Sequence, residues 1–475
     1  LATNTLGEVI VKSRAPITVK KDTLEFNVSS FKTKKDANVE DLLKELPGVE
    51  VDEDGKILVN GKEVNQILVN GKPFFGDDPT VATRNLTKEM VEKIQVVDTK
   101  TDDEAFAGED GDQENKTINL TISEEKNKGV FGRVAAGAGT DERFEYAGIV
   151  NAFDNDRRIS VLAGGNNINE AGFSFGEIRK MFGGGRSVYF NGNGSFGIDG
   201  RSFGGGQGIT NSRSIGTNYT DEYAKGFDAS MDYFYSAANS FDETRIEREN
   251  ILPDRRFFTN SNSRSDSNSD NHSANATINI KKDSTILINI RPKFSYAKSE
   301  TRYTRDEESL DENGDLINQS DNANFIKDQG KNFENTLSIT KKWGDKGAYV
   351  RARLQNEINR QESEDFIVSN TAILGDAPEL IERNQFTDGE TKLDGYNLNF
   401  TYRIPLIAKK LFLDADFGHR DDSRKRSRTT FDFDENTQQY STLNEALSTD
   451  FEGRNMRTTP KLGLNYNTEK FNINF

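Results

Sequence analysis

The chain has 475 residues, of which 33% are hydrophobic and 10% aromatic, and its formal net charge is -16. The acidic balance argues against nucleic-acid binding, which needs a basic surface. The absence of cysteine excludes disulfides and thiolate metal sites. Two histidines, His272 and His419, lie in polar strand or loop contexts, so we expect no metal site and no cofactor. Patterned apolar residues and the aromatic content argue against disorder.

The N-terminal part, residues 16–122, has an α+β pattern. Asn38–Leu46 predicts a short amphipathic helix that Pro47 and Gly48 end. Its apolar side carries Val39, Leu42, Leu43 and Leu46. Two copies of one hexapeptide follow, residues 57–62 and 67–72, and each is an apolar strand ending in Asn-Gly. Because Asn-Gly is a strong hairpin signal, we predict two consecutive hairpins in one small sheet.

For the second half of this N-terminal part, the sequence pattern predicts a helix, a loop and two strands. Thr87–Lys93 predicts a helix with Thr87 as its N-cap, leading into a strand at Ile94–Val97. Residues 98–116 are acidic and contain glycine, which indicates a loop. We interpret its acidic section, 102–112, as a mobile polar loop rather than a cation site. Thr117–Ile122 alternates and predicts the last strand of this part.

From Gly129 onward the sequence is all β. In the run 348–355, small or apolar residues at even positions alternate with Tyr, Arg and Gln at odd positions, so a strand there has one apolar and one polar face. Short turns recur at Lys281–Ser284, Trp343–Gly347, Leu406–Lys410 and Asn467–Lys470. No stretch approaches the roughly 18 apolar residues of a membrane helix, whereas a barrel strand needs only about 9–11. The pattern is typical of a transmembrane antiparallel β-barrel.

We count about fourteen or fifteen strands, with polar hairpin tips at 311–315 and 421–424. Lys470–Phe475 begins a further strand, which is either the natural end of a barrel or a break partway through a larger one. An odd strand count favours the incomplete barrel, since single-chain bacterial barrels have even numbers. No signal peptide precedes Leu1; if the protein is exported, either the numbering begins after cleavage or the N-terminus has been trimmed. The side chains of the polar face need hydrogen-bond partners, which either water or a polar plug can supply. It carries Asn289, Arg291, Arg351, Arg353, Asn397, Asn399, Asp414 and Asp416.

Three N-terminal segments carry a family resemblance. Asp22–Asn27, Glu40–Val49 and Val69–Gly76 resemble the plug domain of TonB-dependent outer-membrane receptors, with the Bacteroidetes-type branch as the nearest. The resemblance implies a globular plug inside a barrel of about 22 strands, driven from the inner membrane through TonB. It implies a mainly β fold with an N-terminal extended segment at 1–15, an α+β plug at 16–125 and a partial barrel at 126–475.

Two further segments gain a role from this resemblance. Leu6–Val11 is similar to the TonB box, so TonB contact would fall to Glu8, Val9, Ile10 and Val11; the alternative is an ordinary first plug strand. The Gly/Phe-rich loop Gly172–Gly208 is the candidate for ligand or partner contact; the alternative is a loop that packs on the plug at the barrel mouth. Its site residues are Phe173, Phe175, Arg179, Phe182, Arg186, Tyr189 and Phe190.

The resemblance implies a receptor that imports a nutrient across the outer membrane, with a periplasmic N-terminus and lipid around the barrel. The partners would be TonB and a surface lipoprotein or other outer-membrane subunits. The alternative is a plugged barrel that serves as a structural or accessory subunit of a larger outer-membrane assembly. A soluble multi-sheet adhesin is a third reading. No Ser/His/Asp or paired-carboxylate arrangement indicates catalysis, so we do not expect an enzyme.

Overall fold

A computed structural model describes most of the chain, and it divides into two compact units. The first unit comprises Leu1–Thr101 and Asp110–Gly129, and the second comprises Asp102–Glu109 and Val130–Phe475. The domain boundary predicted after residue 125 lies outside the described residues. The described residues are 15–20, 23–34, 37–52, 56–74, 82–83, 86–109, 111–122, 127–168, 188–190, 196–198, 201–203, 208–253, 255–374, 378–467 and 472–474.

The first unit is an α+β fold built on an eight-stranded sheet. Its strands are β1 (Ile17–Val19), β2 (Thr23–Asn27), β3 (Val49–Val51), β4 (Ile57–Val59), β5 (Lys62–Val69), β6 (Lys72–Pro73), β7 (Val91–Thr99) and β8 (Asp112–Ile122). The order is β1-β2-β7-β8-β5-β4-β3, with β6 paired to β5. The β5–β8 pair is parallel. Helix α1 (Val39–Lys44) and two 3-10 turns, Val28–Ser30 and Lys88–Met90, accompany the sheet.

Helix α1 and the two hairpins confirm the sequence predictions. The Asn38 side chain accepts a hydrogen bond from Asp41 N at 2.8 Å, and the Asp41 carboxylate accepts one from Asn38 N at 3.2 Å, which is a capping box. The predicted apolar side of the helix, which includes Leu42 and Leu43, is buried. Both Asn-Gly pairs have positive φ at both residues, as a type I′ hairpin turn requires.

The second helix was predicted wrongly. Thr87 makes no side-chain cap, only one 3-10 turn follows it, and β7 already begins at Val91. The reason is tertiary: β7 pairs with β2 on one side and with β8 on the other, and it buries Val91, Ile94 and Val96. Strand pairing on both edges therefore outweighs the local helical pattern.

The second unit is dominated by one 14-stranded antiparallel sheet. Its strands are β9 (Lys128–Ala138), β10 (Phe144–Asp154), β11 (Arg157–Asn166), β15 (Ile209–Ala224), β16 (Phe227–Ile251), β17 (Arg256–Lys281), β18 (Ile286–Asp311), β19 (Leu316–Trp343), β20 (Ala348–Ile373), β21 (Glu379–Ile407), β22 (Leu411–Asp434), β23 (Gln439–Leu443), β24 (Thr449–Asn467) and β25 (Asn472–Asn474). Their order in the sheet is β25-β24-β22-β21-β20-β19-β18-β17-β16-β15-β11-β10-β9, with β23 paired to β22.

This sheet confirms the mainly β class and the short turns predicted between β17 and β18, β19 and β20, and β21 and β22. The strand count also agrees for the described residues. The turn predicted at 467–470 lies almost entirely outside them. Within the described part of the chain, no helix combines the length and the apolar character needed to cross a bilayer.

Two polar stretches were predicted as turns or loops, and the structure corrects both. Residues 421–424 lie inside β22, where Asp421 is paired with Tyr396 on β21 and Met456 on β24. The Gly/Phe-rich loop contains a small three-stranded sheet. Its strands are β12 (Val188–Phe190), β13 (Phe196–Ile198) and β14 (Arg201–Phe203). Backbone pairing to neighbouring strands, which local composition does not reveal, accounts for both corrections.

The prediction of a mobile loop in the acidic section was also wrong. Residues 102–107 form a second helix, α2 (Asp102–Ala107), and β8 already begins at Asp112. The segment Asp102–Glu109, called the acidic segment below, groups with the long sheet of the second unit. Its carboxylates have partners on that sheet, and these partners hold the segment in a defined structure.

Candidate ion-pair site on the polar face of the long sheet

The long sheet has two faces of opposite character. On β19, Ser338 and Thr340 are 1% and 0% exposed, whereas Ile339 between them is 44% exposed. The register extends this contrast across strands, because Ile339 lies opposite Ala352, and Ala352 lies opposite Phe400. We call the side with Ile339 the apolar face and the side with Ser338 the polar face.

The contrast holds over most of the sheet. Buried polar residues of the second unit include Asn151, Ser160, Asn218, Thr220, Asn271, Asn289, Ser338, Thr340 and Arg351. Exposed apolar and aromatic residues include Val150, Val161, Ile215, Met231, Tyr233, Ile339, Leu398, Phe400, Phe417 and Leu462. A water-soluble sheet places apolar side chains inside and polar ones outside, so this sheet is inverted.

The acidic segment lies on the polar face and binds it through three carboxylates. The first is Asp102, whose Oδ2 accepts hydrogen bonds from Asn279 Nδ2 at 3.1 Å and Asn289 Nδ2 at 3.3 Å. The same oxygen lies 3.3 Å from Arg291 Nη2. Asp102 therefore contacts both β17 and β18.

The second carboxylate, Asp103, is 2% exposed. Its Oδ2 accepts hydrogen bonds from Ser338 Oγ at 2.9 Å and Arg353 Nη2 at 2.5 Å, and it lies 3.3 Å from Arg351 Nε. An isolated carboxylate this deeply buried would be very unfavourable. Ser338 and Arg353 supply hydrogen-bond donors to it, and the positive charge of Arg351 adds an ion pair.

The third carboxylate, Glu109, binds the next polar side chains of β20. It accepts hydrogen bonds from the Tyr349 hydroxyl and from Arg351 Nη2. Burial raises the pKa of Glu109, while the positive charge of Arg351 acts in the opposite direction. Arg351 therefore bridges Asp103 and Glu109, with a side chain that is only 8% exposed.

Phe106 adds a further contact in the centre of the segment. Lys342 Nζ lies 4.1 Å from the centre of its ring and donates a hydrogen bond to its carbonyl oxygen at 2.7 Å. Lys281 Nζ lies 5.8 Å from the same ring centre. A cation over an aromatic face is attracted to it. The segment is thus held by four strands, β17 to β20, at the end where short turns connect β17 to β18 and β19 to β20.

A second cluster lies on the apolar face, far along the same strands. Phe325, Phe366, Phe386 and Phe431 lie opposite one another in register on β19 to β22. Neighbouring ring centres are 6.1, 4.5 and 6.5 Å apart. Phe366 is eight residues beyond Ile358, which is 41% exposed, so the two side chains lie on the same face. Tyr440 of β23 contacts Phe366 and Phe386.

The structure leaves most predicted site residues undescribed. Glu8, Val9, Ile10 and Val11 lie outside the described residues, as do Phe173, Phe175, Arg179, Phe182 and Arg186. The backbones of Tyr189 and Phe190 belong to β12, where they are paired with Gly197 and Phe196. Among the described residues, no three His, Cys, Asp or Glu side chains are grouped as a metal site would need.

The acidic residues are visible in the sequence as a run between two predicted strands, but their pairing with the arginines of the long sheet is not. Four carboxylates occur within eight residues, and arginines occupy alternate positions of predicted strands. Their partners are 177 to 250 positions apart in the chain, as in Asp102–Asn279 and Asp103–Arg353. No local pattern shows that such distant residues meet.

No protein-family model matches the sequence, and no curated protein matches it either. Solved structures do match. The siderophore receptor PiuA from Acinetobacter baumannii is 14% identical, with a TM-score of 0.39, over 91% of this chain and 60% of that one. The ferric-catecholate import receptor Fiu from E. coli K12 is 11% identical, with a TM-score of 0.24, over 95% and 83%.

The alcaligin outer-membrane receptor FauA from Bordetella pertussis is 6% identical, with a TM-score of 0.24, over 95% of this chain and 84% of that one. The present chain therefore spans 60% of the length of the Acinetobacter receptor. Such low identities and scores leave function to be inferred from the side chains of this chain.

Proposed function

We propose that this chain belongs to a TonB-dependent outer-membrane receptor that imports a nutrient across the outer membrane. The observation that carries the proposal is the inverted long sheet, with exposed Ile339, Leu398 and Phe400 on one face and buried Asn289, Ser338 and Arg351 on the other. Exposing one such apolar side chain to water rather than burying it costs about 1.5–3 kcal/mol. If the apolar face lies against the hydrocarbon of a bilayer, none of its side chains is exposed to water and this cost is removed.

The apolar face has the width that a bilayer requires. Along β20 its side chains are apolar or small from Ala348 to Leu354, Asn356 is followed by Ile358, and charged residues begin at Arg360. Along β21 the apolar stretch runs over 396–406 and is preceded by a charged stretch at 388–394. The stretch 348–358, with Asn356 as its one polar side chain on this face, and the stretch 396–406 both match the roughly 9–11 residues with which a tilted strand crosses hydrocarbon.

The polar face supports a wide, wet interior rather than a packed core. Arg403 donates hydrogen bonds to Asp414 at 2.6 and 2.7 Å, and Thr401 donates one to Asp416 at 2.6 Å. Such groups need water or a polar partner around them. In the proposed receptor the first unit is the plug, the long sheet is part of the barrel wall, and the wall encloses the path of the nutrient.

The remaining roles are proposals from the family resemblance. Glu8–Val11 would pair with a strand of TonB in the periplasm, and the loop residues from Phe173 to Phe190 would contact the nutrient outside the cell. A Bacteroidetes-type receptor would add a surface lipoprotein as partner. In this proposal the protein transports the nutrient and does not change it chemically.

The membrane proposal is tested by expressing the chain with an export signal in a Gram-negative host. We expect it in the outer-membrane fraction, extractable only with detergent, with a band that shifts on SDS gels after boiling. Recovery as a folded, detergent-free soluble protein would reject the proposal.

The import proposal is tested by uptake of a radiolabelled ferric catecholate, with and without residues 6–11. Deletion should abolish energy-dependent uptake and leave membrane insertion intact. Unchanged uptake would reject the TonB-box assignment.

A second candidate function is an accessory subunit of a larger outer-membrane assembly. The observation in its favour is the aromatic row Phe325, Phe366, Phe386 and Phe431, which lies on the apolar face beyond the charged stretch and so above the proposed hydrocarbon. A partner protein would cover such a row. Purification in a mild detergent distinguishes the two functions, because a stoichiometric partner without any nutrient uptake favours the assembly role.

A further inference from the structure

The polar face of β18 to β20 carries positive charges that are neutralised from outside the sheet. Arg291, Arg351 and Arg353 each have an ion-pair partner on the acidic segment, and Lys342 binds the carbonyl oxygen of Phe106. Nearby carboxylates of the sheet have other partners: Asp414 binds Arg403, and Asp416 binds Thr401. Removing the segment would therefore leave three arginines and a lysine without their anionic or carbonyl partners.

The donors around these charges are arranged as in an anion-binding site. Asn279, Asn289, Ser338 and Tyr349 donate hydrogen bonds to the carboxylates of the segment, and Arg351 reaches two of those carboxylates at once. Arginine forks and fixed hydroxyl and amide donors are the groups that recognise carboxylates and phosphates in ligands. The side chain of Arg351 is only 8% exposed, so the site is built into the sheet.

We propose that these residues form an anion-binding site which the acidic segment occupies as an internal ligand. When the segment leaves, the site accepts a soluble anion that carries several carboxylates or phosphates. The segment connects β7 to β8 of the first unit along the chain. A displacement of either strand would therefore act on the segment through the covalent backbone. The role of the anion as the transported nutrient rests on the proposed import function, whereas the site itself does not.

The first experiment vacates the site. Residues 102–109 are replaced by an eight-residue Gly-Ser linker, and citrate binding is measured by calorimetry in detergent at constant ionic strength. We expect binding at least about tenfold tighter than in the wild type, because the internal competitor is absent. Adding Arg351→Gln and Arg353→Gln should remove that gain. A folded linker variant that binds citrate no more tightly than the wild type would overturn the proposal.

A second measurement uses the wild-type protein, so it does not depend on a variant that folds. Citrate should speed hydrogen exchange of the amides in 102–109 more than sodium chloride of equal ionic strength, because it competes for the same donors. Equal exchange in the two salts would also overturn the proposal. Acetate, with one carboxylate, should act like chloride.

Both readouts are taken in detergent without TonB or transport, so their outcome is separate from that of the import proposal. Failure of the chain to enter the outer membrane would reject import and leave the anion site intact. Inorganic pyrophosphate, used in place of citrate, distinguishes preference for phosphates from preference for carboxylates.

Discussion

Ser338 and Ile339 are consecutive residues of β19, yet Ser338 is 1% exposed and Ile339 is 44% exposed. Their neighbours across the strands repeat the contrast, with Arg353 opposite Ser338 and Ala352 opposite Ile339. A one-residue slip of this strand would place isoleucine among the ion pairs and serine in hydrocarbon. The alternation therefore fixes the register of the strand and, in the proposed receptor, which of its faces meets lipid.

The first prediction concerns the apolar face. Leu354→Arg should destabilise the protein in phosphatidylcholine vesicles by about 2–4 kcal/mol, because arginine near the middle of the hydrocarbon is costly on a barrel strand. Urea unfolding in vesicles measures the change. Gln355→Arg is the matched control, since the neighbouring side chain lies on the polar face, and it should cost less than about 1 kcal/mol. Equal costs at both positions would contradict a lipid-facing surface.

The second prediction concerns the buried carboxylate of the acidic segment. Asp103→Asn removes the charge between Arg351 and Arg353, and breaking a buried ion pair from one side typically costs about 3–5 kcal/mol. We expect the hydrogen-exchange rate of the amides in 102–109 to rise at least about tenfold, because a loss of only about 1.4 kcal/mol in the stability of this segment gives that factor. Mass spectrometry of the exchanged peptides gives the measurement.

The control for this change is Glu104→Gln in the same helix. Glu104 lies 3.9 Å from Arg353, and its side chain is 28% exposed. Because a partly exposed pair at this distance contributes less than about 1 kcal/mol, the exchange should stay close to that of the wild type. A larger effect at Glu104 than at Asp103 would refute the assignment of Asp103 as the main anchor.

The third prediction compares two glycines of the β18–β19 hairpin. Gly314 has φ +90°, and a Cβ there would meet no atom within 4 Å, so Gly314→Ala should cost about 1–2 kcal/mol through backbone strain alone. Gly330 of β19 has equal space and no positive φ. Gly330→Ala should therefore be neutral or slightly stabilising. Hydrogen exchange at the hairpin tip measures the difference, and equal effects would contradict the strained turn.

The fourth prediction is a pH dependence in the first unit. Hydrogen bonds from Gln95, Lys20 and Lys93 lower the pKa of Glu25 from 4.5 to about 2. A carboxylate with a lowered pKa contributes stability that is complete above its ordinary value and is lost as the pH falls toward the lowered one. We expect the unfolding temperature of the first unit to fall between pH 4.5 and about 2, and Glu25→Gln to reduce this dependence.

Calorimetry of the full chain in a zwitterionic detergent resolves the transition at each pH. Glu63→Gln serves as the control at neutral pH, because the Glu63–Lys56 pair is about half exposed on both sides and should contribute less than about 1 kcal/mol. An acid transition that is as steep in Glu25→Gln as in the wild type would contradict the role of Glu25.

Local patterns predicted the elements whose stabilising contacts lie close in sequence. Helix α1 has its cap three residues from its partner, and the Asn-Gly hairpins are fixed by two backbone conformations. The short connections of the long sheet follow from alternation that breaks at polar turns. These features need no knowledge of the rest of the chain.

The errors and the missed site depend on distant residues. Asp421 belongs to a strand because β21 and β24 pair with it, and Arg454 donates hydrogen bonds to its carboxylate at 2.9 and 2.5 Å. Asp103 belongs to a helix held by side chains more than 230 residues away. Composition alone describes both stretches as solvated loops, because the neutralising partners are invisible until the sheet is assembled.

Strands β16 to β21 are 25 to 29 residues long, whereas about 9–11 residues cross hydrocarbon. At roughly 3.3 Å per residue, more than half of each strand would stand clear of the lipid in the proposed receptor. On an intact cell, then, the polar turn at Asp311–Asp315 would be tens of ångströms from the headgroups, within reach of antibodies, phage and added protease. A molecule approaching from the medium would then meet the projecting parts of these strands before it reached the bilayer.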